Sequence, residues 1–325
     1  MKLRAVTRDL VHIISRYSNW RADNIEDTLL EYNVHANRRS WSKFIDVALL
    51  ALAVVFCTSG IVFFFAYNWQ DLHKFVKLGL VEVILVSLIL TAVVSRHNPL
   101  IRSLSLTAGS ILTGVLFAVF GQIYQTGADA YDLFLGWTVF TILWALVSRF
   151  APLWLILLAL CHITLVLYAE QVARGWSAAA LYCLLFLVDC AVLLSLSVGE
   201  KWSGKRFAPA WFSKTVAVTA CTCSTISIIS GIFYKYGTAW YTSLAIVSLA
   251  YIGALIYSFR TRSVFYLFLI PLSVVLITSA FLLESAKTDL TVMLLIVTAF
   301  IVSIITVLVT QILKLNRRWN ERSAA

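Results

Sequence analysis

Blocks of roughly twenty apolar residues, parted by short polar breaks, run along the chain from residue 45 to residue 313. An α-helix needs about twenty such residues to cross the ~30 Å hydrocarbon core of a bilayer. Apolar windows fall at 45–67, 76–95, 104–124, 130–148, 151–169, 177–198, 211–232, 239–258, 263–283 and 289–313. They predict an all-α, polytopic transmembrane helical bundle of about ten spans, with 148–151 the least marked boundary. Pro271 is expected to kink span nine.

Composition agrees with that pattern. The 325 residues are 61% hydrophobic and 13% charged, about half the charge of a soluble domain. The net charge of +10 would suit nucleic acid, but topology accounts for it first. With the N-terminus in the cytoplasm, 21 of the 26 lysines and arginines fall in the N-terminal segment, the inner loops and the tail. Only Lys74, Lys77, Arg174, Lys235 and Lys287 fall outside. That is the positive-inside bias, so both termini are expected to be cytoplasmic and no nucleic-acid partner is expected. Trp41, Trp69, Trp137, Trp154, Trp176, Trp211 and Trp240 lie near span ends, where interfacial rings are favoured.

Three regions follow: a cytoplasmic amphipathic arm (1–44), a membrane region (45–170) and a second membrane region with a basic tail (171–325). In the arm, Leu3, Val6, Leu10, Ile13 and Ile14 recur at helical spacing between basic residues, and "DNIEDTLLEY" (23–32) has Asp23 as a cap with Glu26 three residues on. The arm reads first as a helix lying on the anionic inner leaflet; docking a cytoplasmic partner is the other reading. These roughly forty residues, rich in charged and polar side chains ahead of the first apolar block, do not resemble a cleavable signal peptide.

The six cysteines sit inside apolar blocks without a CxxC pair, where thiols read as small hydrophobes. Neither disulfides nor a metal site is expected from them, and no cofactor. Ionisable groups within spans cost several kcal/mol unless paired or wet, which singles out Glu82, His162 and Asp189. His162 and Asp189 lie at similar depth on consecutive spans, so a hydrogen bond between them is expected. It reads first as a satisfied interhelical pair, with a proton relay as the alternative. Ser110, Gly114 and Ala118 form a small-residue stripe that admits another helix closely. "SGIVFFFAYNW" (59–69) and "SGIFYKYGTAW" (230–240) align without gaps, a trace of parallel duplication that fades beyond the tryptophans.

One outer segment stands apart: "FGQIYQTGADAYDLFLGW" (120–137). Two readings stand level. In the first, Gly121 or Gly127 ends span three in a left-handed conformation, Asp129 caps span four with Asp132 in its first turn, and Tyr131 and Trp137 anchor it. In the second, Gln122, Tyr124, Gln125, Asp129 and Asp132 form an outward polar pocket with Asn68, Trp69 and Glu82 of the neighbouring hairpin.

"GIVFFFAYNWQDLHKFVKLGLVE" (60–82), "GQIYQTGADAYDLFLGW" (121–137) and the upstream "RRSWSKFIDVALLALAV" (38–54) resemble segments of the bacterial membrane-protein family DUF2157, over roughly residues 20–170. The resemblance implies a multi-pass protein of the bacterial inner (plasma) membrane, with a subunit role and no reaction attached. The leading expectation is a non-enzymatic subunit or scaffold that meets the lipid bilayer and binds a membrane or periplasmic protein partner, or an envelope ligand, at its outer hairpins. The alternatives are a secondary transporter with Glu82, His162 and Asp189 lining the path, and a membrane-embedded glycan-processing enzyme using Asp129 and Asp132. No catalytic residue is assigned, because no HExxH, nucleophile elbow or P-loop occurs.

Overall fold

Ten long helices succeed one another in the computed structural model, which describes residues 15–17, 19–20, 24–25, 29, 38–67, 72–124, 127, 129–204, 206–234, 236–285 and 290–324. They are α1 (Arg38–Tyr67), α2 (Lys74–Val94), α3 (Pro99–Tyr124), α4 (Ala130–Ser148), α5 (Ala151–Leu167), α6 (Ala178–Ser203), α7 (Ala210–Phe233), α8 (Thr238–Thr261), α9 (Val264–Ser285) and α10 (Leu290–Ala324). A π-helical turn, Tyr168–Ala173, continues α5. All ten are long and apolar enough to cross a membrane, and no strand occurs among the described residues. The expected spans are therefore all present. Several helices overrun the apolar windows: α1 begins at Arg38, α6 reaches Ser203 and α10 reaches Ala324. Those polar flanks hold no proline, and the backbone ladder continues past the hydrocarbon edge, through Gly199 in α6. α9 likewise runs through Pro271 without ending. The helices expected in the N-terminal arm fall largely outside the described residues.

The chain forms two compact units, Met1–Lys77 and Leu78–Ala325. In the first, none of the described α1 side chains is buried, and Trp41, Phe44, Leu49 and Phe56 stand open. An all-round apolar helix of that kind suits lipid rather than water.

The second unit is organised around α7. Of its most apolar stretch 61% is buried, and Ala217, Ala220, Ser224, Ser227 and Gly231 are among its buried residues. Small residues let backbones approach closely where lipid supplies no hydrophobic drive between helices. α6 packs most extensively on α7, and α9 and α8 also pack against it. Hydroxyls tie these contacts. Thr225 and Tyr251 each lie 2.6 Å from the Ser273 hydroxyl, and Ser227 donates to the Ala179 carbonyl at 2.7 Å. Leu185, Phe186, Ile228, Ile232 and Val247 fill the apolar part.

Candidate functional site

The α3–α4 hairpin is held by a lock that the small-residue stripe makes possible. A β-carbon on Gly114 would overlap the indole of Trp137, and that indole N–H donates to the Ser110 carbonyl at 2.8 Å. The Ser110 hydroxyl, fully buried, lies 3.0 Å from that of Thr141. Trp137 is thus a packing residue rather than the interfacial anchor expected from its place near a span end. Trp240 repeats the device over Gly231, donating to the Ile228 carbonyl at 2.9 Å. Trp41, Trp154, Trp176 and Trp211 do stay exposed, and Trp69 lies outside the described residues.

Past Tyr124 the chain turns through Gly127 at φ +63°, a left-handed conformation that glycine adopts without steric cost. Asp129 takes the N-cap position of α4 but makes no side-chain cap hydrogen bond. The expected carboxylate cap is therefore replaced. The Tyr131 N–H donates instead to Oε1 of Gln171, at 2.9 Å, from the π turn beyond α5. A helix N-terminus needs an acceptor, and here it comes from forty residues away. Tyr131, Tyr168 and Trp176 continue the junction as successive ring contacts at 5.3 and 5.8 Å. Gln171 and Tyr168 were not legible as parts of this end. The polar "AEQ" inside an otherwise apolar span end was the available signal.

Gln122, Tyr124, Asp129 and Asp132 are all exposed at this end, and Glu82 is exposed along α2. Asn68, Trp69 and Gln125 lie outside the described residues. None of the placed five lines the three cavities of about 780, 590 and 990 Å³. The first of those cavities opens beside the Tyr168–Trp176 contact, between Trp176, Tyr234 and Trp240. The other two lie at the opposite helix ends, lined by Arg96, Arg102 and Trp144 in one and Arg149, Trp154 and Phe212 in the other.

A second polar group gathers at mid-span. His162 and Asp189 each stand eleven residues into their helices, about 16 Å from those helix starts. The His162 Nε2 to Asp189 Oδ1 distance is 3.4 Å, with side-chain exposures of 13% and 0%. His162 Nδ1 lies 2.9 Å from the Leu158 carbonyl. A carbonyl only accepts, so Nδ1 carries the proton there and Nε2 faces the carboxylate. One ligand atom each of His162, Asp189 and Cys223 lies within 4.8 Å of the others. The expected approach of His162 to Asp189 is present as an ion-pair contact; Cys223, from α7, joins it unannounced by any local motif.

Residues 21–154 match DUF2157, a family of predicted membrane proteins. The match takes in α1 to α4 and the first turn of α5. The hairpin motif thus falls within the matched stretch, whereas Gln171, His162, Asp189 and Cys223 lie beyond it. No curated protein and no solved structure matches the chain. The chain is a multi-pass membrane protein.

Proposed function

We propose that this protein is a non-enzymatic subunit or scaffold of the bacterial inner membrane, docking a membrane or periplasmic protein, or an envelope ligand, at the outer end of the α3–α4 hairpin. One observation carries the reading: capping of α4 is done by Gln171, so the Asp129 carboxylate is not spent on it. Gln122, Tyr124, Asp129 and Asp132 then form an exposed polar rim at one helix end. Amides, a phenol and carboxylates of this kind recognise polar partners by hydrogen bonding. The bias of lysine and arginine puts this rim outside and both termini in the cytoplasm. A photocrosslinking residue at Tyr124, activated in native membranes, should give one discrete adduct that disappears with Asp132→Ala. A chain that remains unadducted there would refute the reading.

Transport is the second reading, and the buried His162–Asp189 pair at mid-span favours it, since ionisable groups there mark ion paths as well as packing. Against it, neither residue lines any of the three cavities. A flux abolished by Asp189→Asn would promote it. The glycan-enzyme reading needs a cleft around Asp129 and Asp132, and their exposure gives it no support.

A further inference from the structure

Asp189 is fully buried, and neither of its carboxylate oxygens has a hydrogen-bond partner among the described residues; the same holds for His162 Nε2. Such groups in hydrocarbon demand a partner. The 3.4 Å separating Nε2 from Oδ1 is long for a charge-assisted hydrogen bond, which runs at about 2.7–2.9 Å. It matches instead the edge of a coordination shell, since bonds of about 2.0–2.3 Å at tetrahedral angles set ligand atoms about 3.3–3.8 Å apart. The third donor atom lies within the same 4.8 Å spread, so closing the shell takes at most about 1 Å of side-chain movement.

We propose that His162, Asp189 and Cys223 bind a divalent transition-metal ion of the zinc class, at the middle of α5, α6 and α7. The imidazole is oriented for it, because Nδ1–H is engaged with the Leu158 carbonyl and metal-binding histidines characteristically donate their other ring N–H in this way. Nitrogen, carboxylate oxygen and thiolate sulfur together suit a borderline cation rather than calcium or magnesium. Charge is the stronger argument. A dication with the Asp189 carboxylate, the Cys223 thiolate and a neutral imidazole sums to zero, the form a low-dielectric interior tolerates. Bound there, the dication leaves the interior without net charge. The metal would join α5 to the α6–α7 pair, on which α5 otherwise packs sparsely. Three protein donors leave a fourth position open.

This site departs from the expectation that cysteines in apolar blocks serve only as hydrophobes. Its ligands are separated by 26 and 33 intervening residues, spacings that no local metal motif has.

The test uses the full chain, purified in detergent, stripped with chelator and titrated with cobalt(II). One equivalent should bind per chain, with a thiolate-to-cobalt charge-transfer band that zinc(II) displaces. Cys223→Ser should remove the band and weaken binding by more than the 10–100-fold typical of losing an outer-shell partner. Cys190→Ser, next to Asp189 but outside the trio, should keep both. If Cys223→Ser fails to give helical, monodisperse protein, His162→Gln takes its place, with loss of the bound equivalent as the readout. A folded wild-type chain without the band overturns the proposal, and so does a band that survives in Cys223→Ser or a bound equivalent that survives in His162→Gln.

Discussion

The Tyr124–Ala130 end of the α3–α4 hairpin and the middle of α5–α7 both gather polar side chains, and they are assembled in opposite ways. At the hairpin, Gln122, Tyr124, Asp129 and Asp132 fall within eleven residues of sequence and stand exposed. At mid-span, His162, Asp189 and Cys223 come from three helices and meet within 4.8 Å. Crowding along the chain put the first set on a surface; helix packing put the second set in a site. Polar groups at a helix end can stay hydrated, so nothing forces them together. Polar groups at mid-span cannot, and must find one another.

The largest test of that contrast is to remove one buried partner. Asp189→Ala leaves His162 Nε2 without its counterpart, and breaking a buried pair in this way costs about 3–5 kcal/mol. Replacing both residues with leucine should recover most of the loss, since matched apolar pairs are often neutral or stabilising. Denaturant unfolding of the purified protein in micelles reads both variants. Asp189→Ala with wild-type stability would make the pair a passenger rather than a tie.

The two indole locks sharpen the comparison, because one holds the hairpin and the other the α7–α8 pair. Gly114→Ala and Gly231→Ala each drive a methyl into an indole, and overpacking of this kind costs about 1–3 kcal/mol. Gly79 and Gly253 have nothing within 4 Å of an added β-carbon. Alanine at those helical positions should gain roughly 0.5–1 kcal/mol. If all four substitutions shift the melting temperature alike, tight indole packing does not hold either region.

A smaller effect decides who caps α4. Gln171→Ala removes the acceptor for the Tyr131 N–H and should cost about 1 kcal/mol, as lost caps do. Asp129→Ala should stay within about 0.5 kcal/mol, since its carboxylate makes no cap bond. The reverse order would restore Asp129 as the cap and take the rim's carboxylate out of use.

What could be read beforehand divides along the same line. All ten spans were legible, because about twenty apolar residues in a row have few alternatives to a membrane helix. The close approach of α3 and α4 was legible in the stripe of Ser110, Gly114 and Ala118, and the approach of His162 to Asp189 in their matched depth. The overruns at Arg38, Ser203 and Ala324 were not, since hydropathy marks the hydrocarbon and not the helix end. Gln171 was missed because its partner is forty residues away, and capping rules look only within a turn. Cys223 was missed because a thiol in an apolar block reads as a hydrophobe. Trp137 and Trp240 read as interfacial anchors by sequence, because position near a span end says nothing of the glycine opposite.

The smallest expected effect on stability belongs to the rim itself, and there it carries the most about function. Tyr124 is 48% exposed, and its ring meets that of Phe120 on the same helix, with centroids 4.6 Å apart. Gln122→Ala and Asp132→Ala remove exposed side chains from a helix end, so each should leave unfolding within about 0.5 kcal/mol of wild type. If these residues only decorate a turn, every other property should also be unchanged. If they dock a partner, the crosslink from position 124 should be lost in both variants while the protein stays folded and membrane-inserted. That outcome would separate docking from stability at the rim, whereas at His162 and Asp189 the proposed metal binding and stability fall together. A rim variant that destabilises the bundle by several kcal/mol would erase that distinction, and the rim would then belong to the scaffold.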